Sequence, residues 1–232
     1  MHIPDGFLDN AVAAGAALPA AAAVGYALRR ANRDLDERTV PLLGVTAAFL
    51  FAAQMLNFPV AGGTSGHLLG AALATILLGP WLACLVLAVV LTAQAFVFAD
   101  GGVTALGANV LNMGVVGALL VGFGMGAALR LLPRTRGAFL AVTAAGAWLA
   151  VMAGAAATAV ELGVSGTVPL GTVLPAMLGV HALIGIGEAA ITVAAVAGVL
   201  PARPALVARL PAGLAGRAPA PAPAAPAGQA AR

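Results

Sequence analysis

The first two residues carry the donor atoms of a metal chelate. The Met1 amine and the backbone nitrogen of His2 would close a five-membered ring around a metal ion. The same backbone nitrogen and the His2 ring would close a six-membered one. A bulky residue at position 2 blocks removal of the initiator methionine, so we expect a free Met1 amine. Three nitrogens in one plane favour Ni(II), Cu(II) or low-spin Co(II) over Zn(II) or Mg(II).

A further nitrogen donor lies in the loop 61–67, which reads AGGTSGH. Its three glycines allow sharp turns and a close approach of the backbone to a ligand. His67 stands at the start of an apolar segment, 66–79, that Thr64 or Ser65 could cap. Either hydroxyl could also hold the His67 ring as a partner outside the metal shell. An ordinary loop histidine, satisfied by hydrogen bonds, is the alternative.

Two more ionisable residues fall within the last apolar segment. His181 and Glu188 are seven residues apart, so they share one face of a helix. Ionisable residues inside a membrane are costly and are functional candidates for that reason. A structural hydrogen-bond network between helices is the interpretation we favour, and their roles stay open.

Two other functions fit parts of the same sequence. Residues 63–66 read GTSG, and an intramembrane serine protease of the rhomboid type would pair Ser65 with a distant histidine such as His181. This hypothesis gives Met1 and His2 no role. A purely structural or assembly protein is the other alternative, and it predicts that alanine at His2 and His67 has no effect on metal uptake.

The composition places these residues in a membrane protein. The 232 residues are 62% hydrophobic and only 8% charged, where soluble domains carry about 25% charged residues. Lysine is absent, which excludes a P-loop ATPase and a Schiff-base retinal protein. Cys84 is the single cysteine, so neither an intrachain disulfide nor a cysteine-based zinc site is possible. No basic stripe for nucleic acid is evident.

Apolar segments of membrane-spanning length set the organisation of the chain. A spanning helix needs about 20 apolar residues, and six segments qualify: 10–30, 40–57, 80–99, 107–130, 137–160 and 173–200. Segment 66–79 has 14 residues and predicts either a short buried helix or a re-entrant element. We therefore expect an all-α, polytopic membrane helix bundle of about seven transmembrane helices, one of them short.

The arginines predict the orientation of this bundle. They fall in the loops 29–38 and 130–136 and after residue 200, and the other loops hold none. The positive-inside rule then places the N-terminus outside and the C-terminus in the cytoplasm. The expected location is the inner or plasma membrane of a prokaryote. The first ten residues lack the features of a cleaved signal peptide, so we expect them to survive in the mature protein.

Two domains follow from the change in composition near residue 200. Residues 1–200 form the membrane domain, and residues 201–232 hold seven of the 15 prolines, which predicts a disordered cytoplasmic tail. Small residues within the spans include Gly122 and Gly126, a GxxxG pair that allows close helix contacts. A generally alanine-rich composition also explains such spacing, and it is the interpretation we favour.

Three separated motifs resemble one family. The opening MHIPDGFL, the loop GGTSGHLLG and the late HALIGIGEAAIT are similar to the CbiM/NikM family of substrate-capture (S) components of energy-coupling-factor (ECF) transporters for cobalt or nickel. The resemblance runs from Met1 to about Leu200. It implies a seven-helix cup that holds the metal through the Met1 amine, the backbone and ring nitrogens of His2, and His67.

The resemblance also implies partners. The family's S component works with a transmembrane coupling (T) protein and two cytoplasmic ATPase subunits, and in many systems with a small accessory membrane protein. ATP hydrolysis on the partners agrees with the missing P-loop lysine. We therefore expect no enzyme activity, no catalytic residue, no resident cofactor and no nucleic acid, with Co(II) or Ni(II) as the transported ion.

The ligands do not distinguish cobalt from nickel, since both ions accept a nitrogen-rich plane. Family frequency favours cobalt slightly, with cobalamin synthesis as its use. Several polar residues flank the outer ends of the spans as possible supports of the site, without assigned roles: Asn57, Gln94, Asp100, Thr104, Asn109 and Asn112.

Overall fold

The computed structural model describes residues 1–37, 39–211 and 214. It is a helical bundle in which the described helices are α1 (Asn10–Asp34), α2 (Thr39–Gln54), α3 (Ala71–Leu78), α4 (Pro80–Val97), α5 (Leu106–Asn109), α6 (Gly117–Leu131), α7 (Arg136–Val164) and α8 (Leu170–Ala202). A π-helical segment, Val110–Val116, joins α5 to α6, so these three form one continuous helix.

The bundle confirms the expected fold class. Within the described residues, five helices are long and apolar enough to cross a membrane, with α5, the π segment and α6 counted as the single span Leu106–Leu131. The shorter α2 and the eight-residue α3 complete seven helical segments. Apolar length, which is the physical requirement for crossing a bilayer, was therefore sufficient to find the helices.

The short helix α3 differs from the expectation at its beginning. It starts at Ala71 and not at residue 66, and it lies within the bundle with nearly all its residues buried. Gly70 precedes it with a left-handed backbone (φ +79°), and a Cβ at Gly70 would overlap the Leu50 side chain. The prediction that Thr64 or Ser65 caps this helix is wrong, because Gly70 is the N-cap and no side chain caps it.

The loop before α3 contains a small hairpin that the sequence did not predict. Strand β1 (Phe58–Pro59) pairs antiparallel with β2 (Ser65–Gly66). The turn is closed by the hydrogen bond from the Val60 amide to the Thr64 carbonyl at 2.9 Å. This pairing fixes Ser65 and, two residues later, His67 against the end of the bundle.

The π segment contributes a polar contact between two helices of the bundle. Asn112 lies in it and donates to Glu161 Oε2 at 2.6 Å and to Thr158 Oγ1 at 3.4 Å, both on α7. Short π segments inside helices frequently occur at functional sites. Here the Asn112 amide links the central helix to α7 close to the buried Met1 side chain.

Residues just past 200 are folded against the bundle. The helix α8 continues to Ala202, a 3₁₀ turn follows at Pro204–Leu206, and Val207 is buried. The Arg209 amide donates to the Ile76 carbonyl at 3.2 Å. This differs from the expectation that the tail begins at residue 201. The rest of the predicted tail, residues 212, 213 and 215–232, lies outside the described residues.

Candidate metal centre

The N-terminal segment is buried at one end of the bundle, although three of its first five residues are polar or proline. Met1 and Ile3 are fully buried and His2 is 4% exposed. Asn109 binds both sides of Ile3: its Oδ1 accepts from the Ile3 amide at 2.8 Å, and its Nδ2 donates to the Ile3 carbonyl at 3.1 Å. The residue after His2 is therefore held at the backbone, which fixes the direction of the chelating atoms.

Two glycines allow the loop after α4 to reach this segment. A Cβ at Gly102 would overlap the Asp5 amide, and a Cβ at Gly101 would lie 3.2 Å from the His2 ring. Gly101 also has φ +94°, which disfavours other residues. Thr104 then donates twice to Asp5 Oδ1, from its amide at 2.7 Å and its hydroxyl at 2.6 Å.

Ser65 receives the N-terminus. The Met1 amine donates to the Ser65 carbonyl and, at 2.9 Å, to the Ser65 hydroxyl. The His2 amide donates to the same hydroxyl at 3.2 Å. Both backbone nitrogens of the expected chelate thus face the hairpin loop, and Ser65 contacts the N-terminus and not the His67 ring.

The His2 ring is held in the tautomer that a chelate needs. Its Nε2 lies 3.0 Å from Gln94 Oε1, which can only accept, so Nε2 carries the proton. The lone pair is then on Nδ1, the nitrogen that can close a six-membered ring with the backbone. Nδ1 has no hydrogen-bond partner among the described residues, and Asp100 Oδ1 lies 3.4 Å away.

The His67 ring also has one nitrogen in a hydrogen bond and the other without a partner, although the two nitrogens exchange roles relative to His2. Its Nδ1 lies 2.8 Å from the Leu68 carbonyl, so Nδ1 carries the proton and Nε2 the lone pair. Nε2 is buried and unpaired within the described part of the chain. The His67 and His2 rings are stacked, with centroids 4.5 Å apart and planes 27° from parallel. The structure therefore brings Met1, His2 and His67 together.

Burial keeps the Met1 amine and the two histidine rings uncharged at neutral pH. Desolvation lowers the pKa of the Met1 amine from 8.0 to about 4, although the Asp100 carboxylate opposes the shift. Desolvation and the nearby N-terminal charge lower the pKa of His2 to about 4. Desolvation, the N-terminal charge and His2 lower the pKa of His67 well below 6.5. Each lone pair is then available to a cation without the loss of a proton.

Two buried side chains hold the loop after His67. The Glu188 carboxylate accepts from the Leu69 amide at 2.8 Å and the Gly70 amide at 2.6 Å. Gln54 donates to the Leu69 carbonyl at 2.7 Å. The sequence analysis favoured a structural hydrogen-bond network between helices for Glu188, and in the structure its carboxylate binds the backbone of the loop before α3. Glu188 reaches this loop because residues 66–70 descend into the bundle before α3 begins.

His181 is fully buried near the site but makes no serine–histidine pair. Its Nδ1 lies 2.7 Å from the Met177 carbonyl, and its Nε2 has no partner among the described residues. The Ser65 hydroxyl accepts from the N-terminus instead. Thr64 donates to the Met177 sulfur at 4.0 Å, so the expectation that it holds the His67 ring is wrong. Within the described residues, the Ser65 hydroxyl is thus engaged by the N-terminus and does not form the nucleophile–base pair with His181.

A cavity of about 340 Å³ leads from the surface to the His2 side of the centre. Asp100 lines it with 16% of its side chain exposed, and Asn57 donates to Asp100 Oδ2 at 2.9 Å. A fixed carboxylate in the lining of a cavity raises the local concentration of cations. This cavity is a path by which a metal ion could enter.

The centre differs from metal sites built of side chains alone. The described residues contain no group of three His, Cys, Asp or Glu side chains suited to a metal ion. Two of the four candidate nitrogens belong to the backbone, so a search for side-chain clusters does not find them. Sequence reasoning did name Gln94, Asp100 and Asn109 as polar neighbours, but only the structure shows what each of them holds.

Known proteins resemble the chain over most of its length. A family model described as CbiM, the cobalt uptake substrate-specific transmembrane region, matches residues 2–206. A protein of Haloquadratum walsbyi, provisionally named a metal transport protein, is 45% identical over 89% of this chain and 93% of its own length. One of Archaeoglobus fulgidus, provisionally named the fused nickel transport protein NikMN, is 42% identical over 88% of this chain and 67% of its own.

A solved structure shares the architecture as well. The crystal structure of a truncated transition metal transporter superposes on this chain with a TM-score of 0.80 at 33% identity. The match covers 87% of this chain and 99% of the chain in that crystal structure. At 33% identity the two proteins share sequence as well as fold.

Proposed function

Because the chain belongs to the CbiM family of cobalt-uptake transmembrane proteins, we propose that its Met1–His2–His67 centre captures Co(II) or Ni(II) as the cargo of a membrane importer. The four donors would be the Met1 amine, the His2 backbone nitrogen, His2 Nδ1 and His67 Nε2. They would form a square plane, the field that suits Ni(II) and low-spin Co(II).

One observation carries this proposal: the two stacked histidines each keep one buried ring nitrogen that has neither a proton nor a hydrogen-bond partner within the described residues. Gln94 and the Leu68 carbonyl occupy the opposite ring nitrogens, and Nδ1 of His2 and Nε2 of His67 are left without partners in the described residues. Unpaired buried nitrogens are costly, and a metal ion would remove that cost for both rings at once. Outer hydrogen bonds of this kind commonly fix the tautomer of metal-binding histidines.

The transport step is proposed from the family. The centre would lie on the outer face, with the N-terminus outside and the arginine-rich loops in the cytoplasm. A transmembrane coupling protein and two cytoplasmic ATPase subunits would supply the energy, with a small accessory membrane protein in some systems. The chain itself would bind and carry the ion, without a resident cofactor and without catalysis.

The choice of ion belongs to the proposal too. The description of the family model mentions cobalt, and the name of the Archaeoglobus relative mentions nickel. A planar set of four nitrogens accepts both, so selectivity depends on geometry and availability. We keep the slight preference for cobalt, with cobalamin synthesis as its destination.

Metal content tests the proposal. The protein is produced with Met1 as its first residue and any tag at the C-terminus, and intact mass verifies that terminus. Bound cobalt and nickel are then counted by elemental mass spectrometry. We expect about one ion per chain, and none in His67→Ala, in His2→Ala or after acetylation of the Met1 amine.

Acetylation tests the terminal donor directly. Lysine is absent, so acetylation of amines acts on the Met1 amine and withdraws its lone pair from coordination. Intact mass verifies the modification, and thermal unfolding shows whether the bundle is intact. A folded, acetylated protein that still holds one ion per chain would contradict the proposal. So would silent His2→Ala and His67→Ala variants in an uptake assay, the result expected of a structural protein.

A further inference from the structure

A second cavity lies at the opposite end of the bundle. The span Leu106–Leu131 has 26 residues, or about 39 Å at 1.5 Å per residue, and its first part contacts Ile3 through Asn109. At its other end is a cavity of about 320 Å³ whose walls include Arg130, Arg134 and Arg209. Its lining contains no acidic side chain among the described residues.

The glycine pair of α6 builds this cavity. A Cβ at Gly122 would lie 2.7 Å from Pro80, and a Cβ at Gly126 would lie 3.0 Å from Arg209 Nη2. The Arg209 guanidinium donates to the Gly122 carbonyl. The GxxxG spacing therefore serves a contact within the chain: it lets the returning segment after α8 insert one arginine against the helix. The remaining guanidinium donors of Arg209 are left for another acceptor.

The other two arginines carry unneutralised charge. Arg130 and Arg134 are exposed side chains, and within the described residues neither forms a hydrogen bond or an ion pair. Three guanidinium groups around one small cavity repel one another unless an anion lies between them. Guanidinium groups bind phosphate oxygens through paired hydrogen bonds, which makes a phosphate a suitable anion.

Aromatic residues place the cavity at the depth of lipid headgroups. Trp81 follows Pro80 and packs edge-on against Tyr26, with centroids 4.5 Å apart, and its ring lies 6.4 Å from Phe123. Phe123 is 61% exposed and lies seven residues before Arg130, on the same face of α6. Tryptophan and tyrosine concentrate at the membrane interface. An apolar aromatic surface thus adjoins the arginines on the membrane side.

We propose that this cavity binds the phosphate of an anionic phospholipid in the leaflet opposite the metal centre. The three guanidinium groups would hold the phosphodiester, and the acyl chains would lie along Phe123 and the neighbouring apolar surface. Basic cavities between transmembrane helices are a common form of lipid headgroup site. The depth of the cavity and the adjacent aromatic face favour a lipid over an acidic segment of a partner protein.

Native mass spectrometry of the full chain tests this site. The probe lipids are phosphatidylglycerol and phosphatidylcholine with identical acyl chains. We expect one phosphatidylglycerol retained per chain and no retained phosphatidylcholine. Arg130→Gln with Arg134→Gln should weaken retention roughly 30-fold, since each arginine near an anionic surface contributes about fivefold. These two residues make no contact that the described fold requires, so metal binding and thermal unfolding should not change.

Arg29→Gln with Arg33→Gln is the matched control. It removes the same charge from exposed positions at the end of α1, close to Tyr26, and should leave phosphatidylglycerol retention unchanged. Equal losses in both double variants would indicate diffuse attraction and overturn the proposal. Displacement of the lipid by millimolar inorganic phosphate would also overturn it, since the cavity would then be a small-anion site. If Arg130→Gln with Arg134→Gln lost a co-purifying partner protein but still retained phosphatidylglycerol, the cavity would be a protein-binding site, and the proposal would be overturned.

Discussion

The rings of His2 and His67 lie 4.5 Å apart although 64 residues separate them in sequence. His2 carries its proton on Nε2 and His67 on Nδ1, because Gln94 and the Leu68 carbonyl accept those protons. The other ring nitrogens, His2 Nδ1 and His67 Nε2, are buried and have no hydrogen-bond partner within the described residues. The proposed metal site depends on these two free nitrogens, and the predictions below test what holds them in place.

The first prediction concerns the tautomer of His2. Gln94→Leu removes the acceptor of the Nε2 proton, so the ring can rotate or carry its proton on Nδ1. We expect metal affinity to fall about 10- to 100-fold, the usual effect of losing such a partner. Competition with a chromophoric chelator would measure it.

Gln94→Glu is the control for this change. It restores an acceptor at the same place and should recover most of the affinity lost in Gln94→Leu. Equal affinity of Gln94→Leu and the unaltered protein would show that the hydrogen bond does not set the tautomer.

The second prediction concerns the support of the His67 loop. Glu188→Gln leaves one acceptor for two buried amides, Leu69 and Gly70. An unpaired buried donor costs about 1–3 kcal/mol, so both the melting temperature and the metal affinity should fall. Gln54→Leu frees the Leu69 carbonyl and should act in the same direction. Differential scanning fluorimetry with and without metal would measure both effects, and unchanged affinity in both variants would refute the role of this clamp.

The third prediction concerns charge at the entrance. Binding of a divalent ion through an ionised His2 backbone nitrogen leaves one positive charge, which Asp100 is placed to balance. Asp100→Asn should lower metal affinity about tenfold, or about 1.4 kcal/mol, and added salt should narrow the difference. Asp9→Asn is the control, because it removes the same charge and asparagine keeps the N-cap of α1. A similar loss in both variants would argue against a local effect.

The fourth prediction is a pH dependence without metal. The Met1 amine has a pKa of about 4 in its pocket and 8.0 in water. Between these values the released N-terminus binds more protons than the buried one, so the free energy that holds the segment in place must fall as pH is lowered from 8 to 4. His2 adds to this slope between 6.5 and about 4.

Hydrogen exchange of the Ile3 amide over this pH interval would measure the release, after correction for intrinsic exchange rates. His2→Ala should keep the slope near pH 7 and lose part of it below pH 6. A protection that is constant or increases on acidification would contradict the buried, neutral amine.

The helices could be predicted from sequence because apolar length is a local property that the bilayer imposes directly. Met1, His2 and His67 could also be found, since chelate rings at an N-terminus are a matter of covalent geometry. Their role as metal ligands remains a prediction. Ser65 was named for the wrong contact: the sequence suggested a helix cap or a support of His67, and the structure places it on the Met1 amine.

The sequence did not indicate how deeply individual residues lie within the bundle. Hydropathy marked residues 66–79 as one apolar segment, either a short buried helix or a re-entrant element. In the structure the left-handed Gly70 separates an inward-running loop from a helix that starts at Ala71. That descent brings Leu69 to Glu188, a contact between residues 119 apart. The return of Arg209 to Gly126 is likewise a long-range event, and alanine- and proline-rich sequence gives no sign of it.

X-ray absorption at the nickel edge of the Ni(II)-loaded protein tests the central claim most directly. A centre of this kind predicts a single shell of four nitrogen donors with the edge feature of a square plane, and a diamagnetic ion. Acetylation of the Met1 amine should abolish that signature. A six-coordinate shell of nitrogen and oxygen, or a planar signature that survives the acetylation, would contradict a centre built on the Met1 amine, the His2 backbone and the two histidine rings.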